Sequence, residues 1–427
     1  MKKIGIIGLG YVGLPLAIEF GKQKDFETIG FDVNAQRVAD LIKGNDKTGE
    51  LSRRSIKNSK NLSFSKNSDA LKDLDYYIVT VPTPITKNYK PDYSSLKSAC
   101  KIVGSKMKKG SIIIFESTVN PGATEEICAP IIERASKMKW KDGFNIGYSP
   151  ERIVPGSKTH TLINIDKIVA GDSPKTQKII SDLYKKILSS NIISCSSIKV
   201  AEAAKVIENT QRDLNIAFFN ELSNIFNRLD IDTSEVIEAA ATKWNFLRFE
   251  PGLVGGHCLS VDPYYLIDKS ISAGYYPELI AAGRKTNENL AKNITQRLVN
   301  LFPRQKSAIN VAIFGLTFKE NCTDTRNSKS FLIGKLLSKN KTNKYKVSYF
   351  DHLADPEKVL SEYSVNIKQS PPASKKYDLI IFLAPHTHYV KNHLKIVNSH
   401  LKKNGVIFDQ KNILSKSIKS KYRTLGL

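Results

Sequence analysis

The stretch KIGIIGLGYVGLP, Lys3–Pro15, decides how the first part of this chain folds. Its apolar opening has strand length and stops at Gly8. Gly8, Gly10 and Gly13 then spell G-x-G-x-x-G, between a predicted strand and a predicted amphipathic helix from Leu14 to Lys22. Glycines at these spacings permit a tight turn, close backbone approach to a pyrophosphate, and close packing of helix on strand. The positive end of the helix dipole would then face the phosphates. The next strand, ETIGFD, ends in Asp32, where a carboxylate can accept from both ribose hydroxyls and repels a 2′-phosphate. The pattern therefore favours NAD over NADP. Arg37 keeps two readings open, a ligand for a 2′-phosphate or a charge on a helix surface.

Outward from this stretch the alternation continues. YYIVTVP, GSIIIFEST and FNIGYSP are short apolar runs that end in turn or polar residues. Strands alternating with helices predict a parallel sheet covered on both faces. From Ile198 to about Leu229 the pattern changes to helical spacing without Gly or Pro, and a second helical stretch runs from Pro277 to about Leu301. After Pro303 the runs VAIFGL, KVSYFD, YDLIIFLAP and GVIFD repeat the order of the first half. Each half has a strand before Gly, a strand before Asp (Asp32, Asp351), and a strand closed by Pro (Pro82, Pro385). The expected class is α/β: two Rossmann-like doubly wound lobes joined by a long central helix and a helical dimerisation segment. The expected domains are 1–197, 198–304 and 305–427.

Composition narrows the function. At 427 residues the chain is too long for one ordinary core. No apolar run approaches the roughly 18 residues that cross a bilayer, and the start lacks the form of a secretory leader, so a cytoplasmic protein is expected. The five cysteines are widely spaced and include no C-x-x-C pair, which argues against a disulfide framework or a metal site. The net charge of +24 is mostly lysine spread among acidic residues, without an arginine-rich arm. It reads as a solvated surface rather than a nucleic-acid footprint.

Cys258 stands apart from the other four. It follows Gly255, Gly256 and His257 in PGLVGGHCLSVDPYYL, with Asp262 four residues on. Either it is an inert turn cysteine, or glycine lets a ligand approach a reactive thiol. Lys205 and Asn209 share one face of the long helix at i, i+4 and could stabilise charge. On their own they read equally as a solvated face.

Seven ordered segments resemble the UDP-glucose/UDP-N-acetylhexosamine 6-dehydrogenase family over nearly the whole chain. They are GIIGLGYVGLP (Gly5–Pro15), VPTP (Val81–Pro84), ESTVNPG (Glu116–Gly122), SPERIVPG (Ser149–Gly156), AAKVIENTQRDLNIAFFNE (Ala203–Glu221), GGHCLSVDPYYL (Gly255–Leu266) and GLTFKENCTDTRNS (Gly315–Ser328). The resemblance implies a four-electron oxidation that consumes two NAD per sugar, in a homodimer, with a C-terminal UDP-binding domain. Cys258 would be the nucleophile, and Lys205 and Asn209 would stabilise the oxyanion. Asp262, Glu151 and Thr118 would handle water and protons. The cofactor would be held by Gly8, Gly10, Tyr11, Val12, Gly13, Asp32, Arg37, Thr83, Thr118 and Lys319. The substrate would be held by Glu151, Arg152, Lys205, Asn209, Gly255, His257, Arg284, Lys319 and Arg326, with Arg284 reached from a partner subunit. His257 either tunes the thiol or packs beside it. Glucose-type enzymes often carry a second glutamate where this chain has Pro155, so that carboxylate is absent or supplied elsewhere.

The wording around Cys258, including KWNFLRFEPGLVGGHC, resembles the N-acetylhexosamine branch, which acts on UDP-N-acetylglucosamine or UDP-N-acetylgalactosamine in surface-polysaccharide synthesis. UDP-glucose 6-dehydrogenase is the nearest alternative. A hydroxyacid or 6-phosphogluconate-type dehydrogenase shares the first lobe but needs neither the cysteine nor a second nucleotide lobe. A nucleotide-binding regulatory protein has no use for the Cys258, Lys205 and Asn209 set.

Overall fold

The apolar runs that end in glycine, aspartate or proline are the strands, because β-branched residues pack well on a pleated surface and glycine or proline ends the ladder. A computed structural model of the chain describes residues 1–153 and 161–427. Met1–Glu208 with Tyr264–Tyr276 form one compact unit, and Asn209–Pro263 with Pro277–Leu427 form the other. The division falls within the long helix Ile198–Arg228.

The first unit holds β1 (Lys2–Ile7), β2 (Phe26–Phe31), β3 (Leu62–Ser65), β4 (Tyr76–Val79), β5 (Ser111–Phe115), β6 (Phe144–Tyr148), β7 (Lys167–Gly171) and β8 (Ile192–Ser194). Their order is β3-β2-β1-β4-β5-β6-β7-β8, and every neighbouring pair is parallel except β6–β7. The order reverses between β1 and β4, where a doubly wound sheet opens its ligand crevice. Helix Gly13–Gly21 differs from the amphipathic expectation. Only Pro15 and Glu19 of its nine residues escape burial. One side packs with Leu183, Tyr184 and Ile187. On another side the Ser59 hydroxyl donates to Ile18 O (3.2 Å) and the Asn61 amide to Gly21 O (3.0 Å). Chain from far along the sequence thus covers what a lone helix would show to water.

The second unit holds β9 (Ile309–Phe314), β10 (Tyr345–Phe350), β11 (Ile367–Lys368), β12 (Tyr377–Phe382), β13 (Leu401–Asp409) and β14 (Arg423–Leu425), ordered β11-β10-β9-β12-β13-β14 and parallel throughout. Alternation along β9 supplies two cores. Ile309, Val311 and Ile313 pack with Leu290, Ile294 and Leu298 of helix Glu278–Asn300 and with Phe331 and Leu337. Ala312 and Phe314 face Tyr389, Val397 and Ile418. Each large apolar side chain so buried contributes about 1.5–3 kcal/mol.

Both lobes close their first turn in the same way. Gly8 (φ +97°) and Gly315 (φ +79°) are left-handed, and the next amides, Leu9 and Leu316, donate to Asp32 (2.8 Å) and Asp351 (2.6 Å). The repeat seen in sequence is a repeat of hydrogen bonds.

Candidate active site

The crevice of the first unit is built around missing side chains. A Cβ on Gly13 would lie 1.9 Å from Gly8 O and 2.4 Å from Thr80 Oγ1. At Gly10 a Cβ would meet nothing within 4 Å, so the turn is open there. No side chain caps helix Gly13–Gly21, and the Leu14 amide donates to Gly10 O (3.2 Å), so the positive end of the helix dipole lies at the glycine turn. Tyr11 and Val12 lie in this turn. Asp32 accepts from the Leu9 and Asn34 amides, each at 2.8 Å, and its oxygens retain lone pairs for ribose hydroxyls. Arg37 lies at the same turn: its Nε donates to Leu9 O (2.9 Å) and Nη1 pairs with the buried Asp46 carboxylate (2.8 Å). Those contacts hold the guanidinium against the glycine turn. The residues present fit NAD.

Three loops follow β4, β5 and β6. The Thr83 hydroxyl donates to Thr118 O (2.7 Å), the Ser117 hydroxyl to Val81 O (2.6 Å), and the Tyr265 hydroxyl to Thr83 O (2.5 Å). Beneath the third loop, buried Lys167 pairs with buried Glu116 (3.1 Å), and the Tyr184 hydroxyl donates to Glu116. Lys167 also reaches the carbonyls of Ser149 and Pro150, both at 3.4 Å. Glu151 comes next. Burial pushes its carboxyl above the ordinary value, while the charges of Lys205 and then Lys167 pull it down. Lys205 is itself buried. Arg152 reaches Asp166 O (2.9 Å) and Glu208 (2.9 Å). Pro155 lies outside the described residues.

The second unit carries the cysteine loop. Gly256 (φ +81°) is left-handed, and a Cβ there would lie 2.8 Å from the Phe318 ring. At Gly255 a Cβ would lie 2.9 Å from Asn327 O. The Gly256 amide donates to Arg326 O (3.1 Å), and Asn327 Nδ2 donates back to Gly256 O (2.9 Å). The GGHC and TDTRNS segments are therefore stitched together, far apart as they are in sequence. Cys258 is partly buried. Its carbonyl accepts from the Val261 (2.9 Å) and Asp262 (2.8 Å) amides, which sets the thiol-bearing turn against helix Asp262–Ser272. Asn209 Nδ2 donates to Asp262 Oδ2 at 2.5 Å, and Asp262 is buried.

Beside the cysteine, Asp324 holds the Arg326 guanidinium, whose Nη2 also lies 3.0 Å from His257 Nδ1. Arg326 donates to the carboxylate through Nε (3.0 Å to each oxygen) and Nη2 (2.6 Å), and His257 Nδ1 lies 3.5 Å from it. Burial works against a charged imidazole at His257. The Asp324 carboxylate and the neighbouring Cys258 outweigh it and push the histidine up to about 9. Arg284 is fully buried, paired with Asp213 (2.6 Å) and Glu288, and its Nη1 lies 3.5 Å from Leu259 O. Within this unit it braces the residue after Cys258. Lys319 lies in the loop after β9, its Nζ 5.8 Å from the Phe318 ring centroid. Asp324, Lys167, Glu116, Glu202 and Asp213 have no role assigned from the sequence. Asp324, Glu116 and Asp213 lie within the quoted segments, whereas Lys167 and Glu202 lie outside them. Among the described residues no cluster of His, Cys, Asp or Glu could hold a metal ion, and no helix is long and apolar enough to cross a membrane.

Three domains of one family match consecutive parts of the chain: the NAD-binding domain of the UDP-glucose/GDP-mannose dehydrogenase family at residues 2–188, its central domain at 199–289, and its UDP-binding domain at 312–416. The chain belongs to this family. It is an NAD-dependent dehydrogenase with a UDP-binding domain. It is 46% identical over 415 residues to the UDP-N-acetyl-D-glucosamine 6-dehydrogenase of Salmonella typhi, covering 96% of each chain. It is 44% identical to the enzyme of the same name from Pseudomonas aeruginosa, over 96% of this chain and 97% of that one. Its fold is similar to that of the UDP-D-ManNAc dehydrogenase of Pyrococcus horikoshii, with a TM-score of 0.83 at 28% identity, covering 99% and 98% of the two chains.

Proposed function

We propose that the chain oxidises the 6-hydroxymethyl group of UDP-N-acetylglucosamine to a carboxylate, for surface-polysaccharide synthesis. The observation that carries this reading is the full-length identity of 46% to an enzyme named for that substrate, against 32% to one named for the mannosamine epimer. UDP-N-acetylgalactosamine is the second sugar to test.

Bound NAD supplies the hydride acceptor for two successive two-electron steps. In the first, a base takes the hydroxyl proton as the C6 hydride leaves, and Asp262, Glu151 and Lys205 are the residues for that proton. The aldehyde gives up no second hydride until a nucleophile makes its carbon tetrahedral. The Cys258 sulfur forms that bond, giving a thiohemiacetal, and loss of the second hydride leaves a thioester. His257 flanks the sulfur, its Nδ1 3.5 Å from the Asp324 carboxylate. The oxyanion at C6 is stabilised by Lys205 and Asn209. Water activated by Glu151 or Asp262, with Thr118, then breaks the C–S bond and returns the thiol.

Glu151, Arg152, Lys205, Asn209, Gly255, His257, Arg284, Lys319 and Arg326 would hold the substrate. Gly8, Gly10, Tyr11, Val12, Gly13, Asp32, Arg37, Thr83, Thr118 and Lys319 would hold NAD. The working division is a domain over 1–197, a central segment over 198–304, and a UDP-binding domain over 305–427. A homodimer in the cytoplasm completes the reading. Its support is a set of large apolar side chains left exposed, Trp244 (92%), Leu279 (74%) and Leu247 (70%).

The test counts NADH per sugar consumed with UDP-N-acetylglucosamine, UDP-N-acetylgalactosamine, UDP-N-acetylmannosamine and UDP-glucose in separate reactions. Two NADH per UDP-N-acetylglucosamine, lost in Cys258→Ser, is the expected result. One NADH per sugar would overturn the role of Cys258, and turnover of UDP-glucose alone would overturn the sugar.

A further inference from the structure

His386 is fully buried at the end of the segment after β12, and it lies outside every motif used above. Its ring is tied at both nitrogens. The Asn321 amide donates to Nδ1 at 2.8 Å. Nε2 lies 3.2 Å from Asp351 Oδ2 and 3.2 Å from Thr317 Oγ1. A backbone amide can only donate, so Nδ1 must be the unprotonated acceptor, and the ring proton sits on Nε2 toward Asp351.

These contacts grip a loop at both ends. Asp351 takes the Leu316 amide at 2.6 Å and His386 takes the Asn321 amide, with Lys319 between them. The Thr317 hydroxyl donates to Lys319 O at 2.7 Å, so the middle of the loop is held by a residue that itself touches His386. Asn321 is left-handed (φ +53°), and its side chain accepts from the Thr387 amide at 2.9 Å. The first lobe has only half of this device: Asp32 holds Leu9, and the corresponding segment after β4 carries no histidine.

We infer that His386 is a positioning residue for substrate binding: in its Nε2–H form it locks the Leu316–Asn321 loop so that Lys319 meets the UDP moiety in a preset place. This rests on the reading of Lys319 as a substrate ligand. A loop fixed before binding removes the loop-ordering part of the cost of binding.

Two substitutions separate the two ends of the ring. In His386→Asn the amide oxygen can occupy the Nδ1 position and still accept from Asn321. In His386→Gln the amide nitrogen can reach Asp351 but leaves the Asn321 amide without its acceptor. UDP binding to the full-length protein is measured by calorimetry for these variants, for Lys319→Ala, and for Lys319→Ala combined with His386→Gln. The expected result is a roughly tenfold weaker Kd in His386→Gln, within twofold of wild type in His386→Asn, and no further loss in the double variant relative to Lys319→Ala. A purely structural histidine would instead lower the active fraction in both variants and leave Kd unmoved. Weak binding in Lys319→Ala with unchanged binding in His386→Gln overturns the inference alone. Unchanged binding in Lys319→Ala overturns the reading of Lys319, and the inference with it.

Discussion

Asp324 holds a guanidinium and an imidazole at once, and this sets the charge beside Cys258. Removing the carboxylate removes what outweighs burial at His257. Asp324→Asn is therefore expected to bring the His257 titration down from about 9 toward the usual 6.5, followed by NMR of the ring protons. The same shift is linked to stability. A histidine whose folded value is raised stabilises fully below its unfolded value, and that contribution is lost as pH rises through about 9. Wild type should lose stability between pH 6.5 and 9, and Asp324→Asn should lose less over that window. His257 was legible as the neighbour of the thiol, but not as a partner of Asp324. The deciding carboxylate is far away in sequence and arrives only when the two loops pair.

The glycine turn is an element whose members do different work. Gly10→Ala adds a methyl group where nothing stands within 4 Å, so folding and Tm should be kept while NAD affinity falls by tenfold or more. Gly13→Ala drives a methyl group into Gly8 O and Thr80, so it should lower Tm as well. Thermal melts read beside NAD titration separate the two. The long helix offers a second element-scale test. Glu202, fully buried on it, accepts from the Gly122 (2.5 Å) and Thr124 (2.9 Å) amides, and burial raises its carboxyl to about 7. A raised acid stabilises fully below its unfolded value and loses that contribution as pH climbs through about 7. Melting curves between pH 4.5 and 7.5 should show this decline in wild type and a flatter profile in Glu202→Gln.

At the scale of the whole molecule, two sheets, parallel except at β6–β7, make the cores, and the proposed homodimer rests on the exposed apolar residues. Ile313→Ala, in the middle of β9, should cost about 2–5 kcal/mol by chemical denaturation, because its site is packed from strand and helix together. Trp244→Glu combined with Leu247→Glu should convert a dimer to a monomer in sedimentation velocity. A wild-type monomer at micromolar concentration would remove the homodimer from the proposed function.

Period and punctuation carried the central strands, the long helix and the glycine turn, because each is written in a local pattern, while the short edge strands β3, β8, β11 and β14 and the antiparallel β7 carried too little pattern to stand out. The Cys258 loop stood out for the same reason, with its two glycines and following aspartate. What the chain order did not show is which distant charges meet. Asp324 beside His257, Lys167 on the Pro150 carbonyl, Asn209 on Asp262 and His386 on the Asn321 amide are pairings of buried or half-buried polar groups. Such groups must find partners wherever folding brings them, so their identity is decided by the tertiary structure.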